Sequence, residues 1–283
     1  MITVSKKQNR RNFLRHLCKV ALEHALPWAE RLTGFRTAEG DYLPNRLRML
    51  LGNYEAEESR LMRPFLRPGQ TIVDVGANVG FLTRRFARAT GPAGKVYAFE
   101  PNPIIFPLLT RNVAEFSQVR AWNCGLSSES GESSLFLAGG DHSVGSFSPK
   151  YPATHVFYQE TGELRSLRAR LVQGDEFLAE QGVHKIDIAK IDVEGWELKV
   201  LRGLEKTIAA SPRIAIFCEY NRAAQESAGH ARAELPNWFF ERGFTVALPK
   251  NGALRKISQD AVGELIEQLP RSGFTTLFAS RAL

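Results

Sequence analysis

From Thr71 onward, short apolar runs alternate with stretches whose apolar residues recur every three or four positions, the pattern of a parallel sheet covered by helices on both faces. The runs predict strands over Thr71–Val75, Lys95–Phe99, Val119–Asn123, Ile186–Ile191 and Arg213–Glu219. Helices are predicted over Phe81–Ala89, Pro103–Phe116, Asp175–Glu180 and Glu197–Ala209, the last with Leu198, Leu201 and Leu204 on one face. Asn102 before Pro103 reads as an N-cap with proline in the first turn. A further helix near Leu235–Arg242 precedes two closing strands, Thr245–Leu248 and Thr275–Ala279. These close as a hairpin-like pair, with Asp260–Gln268 as a candidate helix in their connection. The Gly/Ser-rich stretch Ser127–Ser148 reads as a strand with flanking loops. Together the elements predict a Rossmann-like, doubly wound α/β sheet of seven strands.

Upstream, Phe13, Leu14, Leu17, Val20, Ala21 and Leu22 fall at helical spacing, which predicts an amphipathic helix over residues 10–26. Its apolar face either packs on the following domain and helps wall the acceptor site, or lies on a membrane surface. The chain therefore divides into a basic helical extension, residues 1–53, and one α/β domain, residues 54–283.

The net charge of +7 sharpens this division, because Lys6, Lys7, Arg10, Arg11, Arg15 and Lys19 crowd the start of the chain. No zinc-finger or RNA-recognition pattern accompanies that charge, so a nucleic-acid partner is not expected. Arg10-Arg11-Asn12-Phe13-Leu14-Arg15 is similar to a twin-arginine export motif, but His16, Lys19, Glu23 and His24 interrupt the apolar core that such a signal needs. Cys18, Cys124 and Cys218 lie far apart, without metal-ligand spacing. These features point to a reducing, cytoplasmic setting.

The most informative segment is Val73-Asp74-Val75-Gly76-Ala77-Asn78-Val79-Gly80-Phe81, where a strand hands over to a helix. Gly76 and Gly80 let backbone approach a ligand at the carboxyl edge of the sheet. Glu100 closes the second strand in Phe99-Glu100-Pro101-Asn102, and the two oxygens of a carboxylate match a ribose diol. Dinucleotide enzymes share a glycine turn and an acid, but here the spacing is Gly76-x-x-x-Gly80 and an acid, Asp74, stands at the strand end. A carboxylate is badly placed beside a pyrophosphate and well placed beside the ammonium or sulfonium end of S-adenosylmethionine. The cofactor set is Asp74, Gly76, Ala77, Asn78, Gly80, Glu100, Pro101, Asn102 and Asp192.

From Gly52 to Ser280 the chain resembles the FkbM-type methyltransferases. The resemblance rests on Gly52-Asn53-Tyr54-Glu55, the Asp74–Gly80 and Phe99–Asn102 segments, Asp175-Glu176-Phe177-Leu178, and above all Lys190-Ile191-Asp192-Val193-Glu194-Gly195-Trp196-Glu197 with Val200-Leu201-Arg202-Gly203. It implies O-methylation of a hydroxyl on a sugar, glycolipid or polyketide-type metabolite, with Asp74, Gly76, Asn78, Glu100 and Asn102 around the cofactor. The first fifty residues or so fall outside it.

Methyl transfer to a hydroxyl needs in-line alignment and a group to take the proton. Glu194 is the candidate acceptor-side acid/base, and Asp192 orients cofactor or acceptor. Glu197 reads as a first-turn dipole partner, and Lys190 as either a partner of these acids or a structural lysine. His142, in Gly139–Ser146, is a further candidate base with a suitable ordinary pKa. His155, among Tyr151, Phe157 and Tyr158, reads as packing or acceptor wall, while Trp122 and Cys124 are expected to line or underlie the adenine end. A divalent metal shared by Asp192 and Glu219 is the competing scheme, not favoured because hard cations take more oxygens than this pair offers. An NAD(P) oxidoreductase and a catalytically silent binding protein on the same fold are the rival readings.

Overall fold

A computed structural model describes residues 6–139, 142, 144–152, 162–268 and 274–281. The apolar runs become β1 (Thr71–Val75), β2 (Lys95–Phe99) and β3 (Val119–Trp122). A smaller insertion follows, made of β4 (Gly125–Ser127), β5 (Gly131–Ala138), β6 (Gly145–Ser146) and β7 (Leu164–Gln173). The main sheet then resumes with β8 (Ile188–Ile191), β9 (Ala215–Asn221), β10 (Thr245–Lys250), β11 (Ala253–Ile257) and β12 (Phe274–Ser280).

The main sheet has eight strands in the order β11-β10-β12-β9-β8-β1-β2-β3. β1 pairs in parallel with both β2 and β8, so chain order reverses there and opens a crevice at the carboxyl edge. β12 runs antiparallel between β9 and β10, which makes the two expected closing strands neighbours. The eighth strand is an addition to the expected seven: Asn251 (φ 53°) and Gly252 (φ 75°) turn the chain tightly and send β11 back along β10.

Side chains alternate along the strands between two cores. Val73, Val75, Phe99, Ile191 and Cys218 face the one covered by the helices Gly174–Glu180 and Glu197–Gly203. Ile72, Val96, Ile188 and Phe217 face the one covered by the helix Phe81–Thr90. Burial of a large apolar side chain contributes about 1.5–3 kcal/mol, so the strands nearest the crevice are anchored on both faces.

Several boundaries differ from expectation for local reasons. The helix after β2 spans Phe106–Val113, with Pro107 in its first turn. Asn102 does not cap it; its side-chain oxygen accepts from the Ile104 amide (2.9 Å) in a preceding turn. The expected helix Glu197–Ala209 is two helices, Glu197–Gly203 and Glu205–Ala209. The stretch expected as a strand with loops holds β5 and β6, and the whole length of β5 pairs with β7.

The N-terminal helix spans Lys6–Thr33, passing through Pro27, and no helix among the described residues is long and apolar enough to cross a membrane. The segment after it is stitched to the domain behind the glycine turn. Asn112 exchanges two hydrogen bonds with Arg36 (both 2.8 Å), and the buried Arg84 donates to the Gly34 carbonyl (3.0 Å). Phe35, Ala38 and Met49 complete an apolar cluster with Val79 and Ile105.

Candidate active site

A cleft of about 1120 Å³ opens at the carboxyl edge of β1, β2, β8 and β9, where a doubly wound sheet accepts ligands. Gly76 and Ala77 both donate their amides to the Phe99 carbonyl (3.0 Å each), which folds the turn down onto the sheet edge. A Cβ on Gly76 would stand 1.8 Å from the Asp192 carbonyl oxygen, and its φ is 78°; this position needs glycine. Gly80 does not line the cleft. Its φ of 86° starts the helix where a Cβ would lie 2.8 Å from Leu109, so it serves close packing behind the turn.

Glu100 is buried, and its two oxygens accept the backbone amides of Asn78 and Asn102, both at 2.8 Å. Burial pushes its carboxyl up to about 7, opposed by those amides, which favour the ionised form. Each oxygen keeps a second lone pair for a hydroxyl donor from the cleft. Ala77, Asn78, Pro101 and Asn102 line the same end. His142 joins them: its ring Nδ1 lies 3.5 Å from Asn102 Nδ2, and its amide donates to Asp41 Oδ1 (2.9 Å).

Asp74 corrects the expectation of direct cofactor contact. It is fully buried and absent from the cleft lining, and its Oδ2 accepts from the Thr83 hydroxyl (2.6 Å) in the following helix. Register pairs it with Lys190 on β8. Burial pushes the Asp74 carboxyl up, against the Lys190 charge and the Thr83 hydroxyl. Asp74 therefore braces the turn and balances a buried lysine.

Lys190, 4% exposed, directs its ammonium to the Gly76 carbonyl (3.1 Å) and to Asp192 Oδ2 (3.2 Å). It thus pairs with the acids, as one of its two readings anticipated, and ties β8 to the glycine turn. The register Ile191–Cys218 sets Asp192 beside Glu219. β8 ends before Asp192, so no continuing strand brings Glu194 to its neighbours; a turn with Glu194 at φ 49° and Gly195 at φ 100° does. Ser146, on β6, fixes that turn by donating to the Glu194 carbonyl (2.7 Å). Carboxylate oxygens of Asp192, Glu194 and Glu219 then all lie within 4.8 Å of one another.

Burial first, and then mutual repulsion, raises the Glu194 and Glu219 carboxyls well above the usual range. Tyr151 hydrogen-bonds Glu194 and accepts from Asn221 Nδ2 (2.6 Å). Glu197 stands outside the cleft: buried, it accepts the amides of Val193 (3.2 Å) and Gly195 (3.0 Å) and the Gln225 side chain, so it holds the turn that carries Glu194.

The opening stretch of the α/β domain, before β1, supplies residues that sequence reasoning assigned no role in the cleft. Tyr54, Glu55 and Glu58 line it, and burial lifts Glu55 to about 8 and Glu58 to about 7. Among the described residues, three of the four non-glycine positions with left-handed backbone line the cleft: Glu55, Asn78 and Glu194. Such conformations cost about 1–3 kcal/mol each and gather where geometry serves a ligand. Tyr151 and Asn221 were missed as well; the signal for Asn221 was its position two residues beyond Glu219 on β9, the same sheet edge.

Of the two placements expected for Trp122 and Cys124, lining or underlying, the first does not hold. Neither lines the cleft. Trp122 stacks on Phe99 (5.2 Å, 20°), which does, while Cys124 sits in the core. His155, Phe157 and Tyr158 lie outside the described residues.

A β3-β2-β1-β8-β9-β12-β10 order, with a glycine turn and a diol-matching acid on neighbouring strands and acids across the cleft, defines the Rossmann-like methyltransferase class. Residues 74–246 match the family model described as the methyltransferase FkbM domain, and the chain belongs to that family. Methyltransferase sdnD of Sordaria araneosa is 34% identical over 157 residues, 48% of this chain and 60% of that protein. The 31-O-demethyl-FK506 methyltransferase FkbM of Streptomyces tacrolimicus is 32% identical over 171 residues, 53% and 64% of the two chains. The hexuronic acid methyltransferase AglP of Haloferax volcanii is 32% identical over 164 residues, 58% and 61%. The chain thus spans about six tenths of the length of these three relatives.

Proposed function

We propose that the protein is an S-adenosylmethionine-dependent O-methyltransferase acting on a hydroxyl of a sugar, glycolipid or polyketide-type metabolite. The observation that carries the reading is Glu100: a buried carboxylate held by two backbone amides, with lone pairs left for a vicinal diol, faces the cleft that also receives Asp192, Glu194 and Glu219. Family membership and relatives whose names specify a 31-O-demethyl compound and a hexuronic acid support hydroxyl acceptors.

The donor set fits S-adenosylmethionine. Glu100 takes the ribose hydroxyls, the bare backbone at Gly76 and Ala77 allows close approach, and Asn78, Pro101 and Asn102 wall the nucleoside end. When bound, the cofactor supplies a methyl group made electrophilic by its sulfonium. Glu194, which lines the cleft, accepts the proton of the acceptor hydroxyl on its carboxylate, and the burial that raises its carboxyl makes the ionised form a stronger base. Asp192, fixed by Lys190, orients the acceptor; Tyr151 and Asn221 hold Glu194 in place. His142 serves the nucleoside end, beside Asn102. The extension, residues 1–53, shapes access to the cleft. Peripheral membrane contact through residues 6–26, where Leu22 is exposed, belongs to the same reading, on the cytoplasmic side.

The test is turnover and cofactor affinity measured together. Glu194→Gln retains S-adenosylhomocysteine affinity and loses methyl transfer; an undiminished rate removes Glu194 from the mechanism. Asp192, Glu194 and Glu219 also have the spacing of a divalent-cation site, yet three side-chain oxygens fall short of the six to eight that Ca²⁺ takes, and Mg²⁺ needs octahedral completion by water or substrate. Activity therefore survives exhaustive chelation, whereas loss that only Mg²⁺ restores assigns the cluster to a metal.

A further inference from the structure

Resting on the methyl-transfer reading, we infer that the stretch upstream of β1 grips the amino-acid tail of S-adenosylmethionine, with Arg48 on its carboxylate and Glu55 on its ammonium. A sulfonium has three arms. Glu100 takes the adenosyl arm, and the methyl arm must face the acids at the ends of β8 and β9. The β5–β7 insertion meets the nucleoside end through His142 and the acceptor end through Ser146 and Phe147. The first residues of β12 pair with β9 beside Glu219 and Asn221, again at the acceptor end. The wall left for the aminocarboxypropyl arm runs from Tyr42 to Glu58, upstream of the residues 74–246 that match the family model.

That wall carries both partners a zwitterion needs. Among the described residues lining the cleft, the lysine and arginine side chains are Lys190, committed to Asp192 and the Gly76 carbonyl, and Arg48, which has no ion pair. Asn45 shares the Arg48 face of the helix Leu43–Leu50, three positions before it, and adds a side-chain amide. The Arg48 carbonyl accepts the amides of Asn53 (2.7 Å) and Tyr54 (3.1 Å), which folds the chain back and sets Arg48 beside the segment bearing Glu55. Tyr54 meets Phe81 edge-on at 5.5 Å, and Met49 is buried with Val79, so the wall is fixed against the glycine turn. Asp74, buried away from the cleft, leaves the ammonium to another acid. Glu58 already accepts from Thr276 and Asp192 is held by Lys190, whereas the Glu55 side chain has no hydrogen-bond partner. Burial lifts the Glu55 carboxyl to about 8; Glu58, Asp192 and Asp74 add to the rise, while Lys190 and Arg85 oppose it. A ligand ammonium at hydrogen-bond range favours the carboxylate and releases its proton to solvent.

The experiment titrates the full chain by calorimetry with S-adenosylhomocysteine, its decarboxylated form and its deaminated form. Arg48→Gln is expected to weaken the first and third by about three- to tenfold, a modest loss because Arg48 is exposed, and to leave the second unchanged. Glu55→Gln is expected to weaken the first and second by about tenfold or more and to leave the third unchanged. The ligand that each variant binds normally is its fold control. Equal weakening of all three ligands by either variant marks a structural role and overturns the inference, as does either variant leaving S-adenosylhomocysteine affinity unchanged. A decarboxylated or deaminated ligand that binds the unaltered protein as tightly as S-adenosylhomocysteine overturns it without any variant. An unaltered protein that binds no S-adenosylhomocysteine defeats the methyl-transfer reading itself, and this inference with it.

Discussion

The two ends of the cleft are built on different principles. At the nucleoside end, Glu100 is held by backbone amides and Gly76 by a close approach to the Asp192 carbonyl, so main chain sets the geometry. At the acceptor end, Asp192, Glu194 and Glu219 meet through side chains, braced by Lys190, Tyr151, Asn221 and Ser146 from four separate segments. A backbone-built site tolerates changes around it and binds one ligand shape. A side-chain-built site keeps the same fold while individual positions change the acceptor, consistent with relatives that carry different substrate names.

Substitutions separate the two ends. Glu194→Gln is expected to reduce turnover by about 10²- to 10⁴-fold, the usual contribution of a general base, with cofactor affinity unchanged by calorimetry. Glu100→Ala removes two charge-assisted hydrogen bonds to the cofactor ribose, about 1.5–3 kcal/mol each, and is expected to weaken S-adenosylhomocysteine binding by about 10²- to 10⁴-fold. Unchanged affinity there contradicts the ribose assignment. Tyr151→Phe leaves Glu194 less well fixed; a loss of about 0.5–1.5 kcal/mol predicts a kcat lowered by about 2- to 12-fold, with no change at the nucleoside end. A Tyr151→Phe variant that loses cofactor affinity instead breaks the division.

The least specific effect is on stability. Glu55, Glu58 and Glu100 titrate at about 8, 7 and 7 in the folded protein, against about 4.3 in an unfolded chain. The folded state therefore holds more protons than the unfolded state between those values, and stability present at low pH is lost as pH rises through about 7–8. The melting temperature of the cofactor-free protein is expected to fall between about pH 5.5 and 8.5; a rise across that window removes these carboxyls from the balance.

Much of the nucleoside end was legible because it is local. β1 and β2 fall where the apolar runs do, and the glycine turn and Glu100 lie within one strand-turn-helix-strand unit. Asp74 was misjudged because its distance from a ligand depends on which way the strand presents it: it points into the sheet interior, to Thr83 and Lys190. The acceptor end was legible only as a set of acids. Their convergence depends on Glu194 adopting a left-handed backbone and on β8–β9 register, and neither is marked by periodicity. Tyr54 reaches the cleft through long-range packing against Phe81 and its cluster, and Glu55 and Glu58 follow it in the chain, which no local pattern encodes. β11 is different: the Asn251-Gly252 pair is a strong hairpin signal and was available to be read.

Calorimetric titration of the purified full chain with S-adenosylhomocysteine, followed by NAD⁺, tests the central claim most directly. The account predicts saturable binding of the first at one site and no heat from the second. Saturation of the cleft by the nicotinamide dinucleotide, with S-adenosylhomocysteine unable to bind or displace it, contradicts the account.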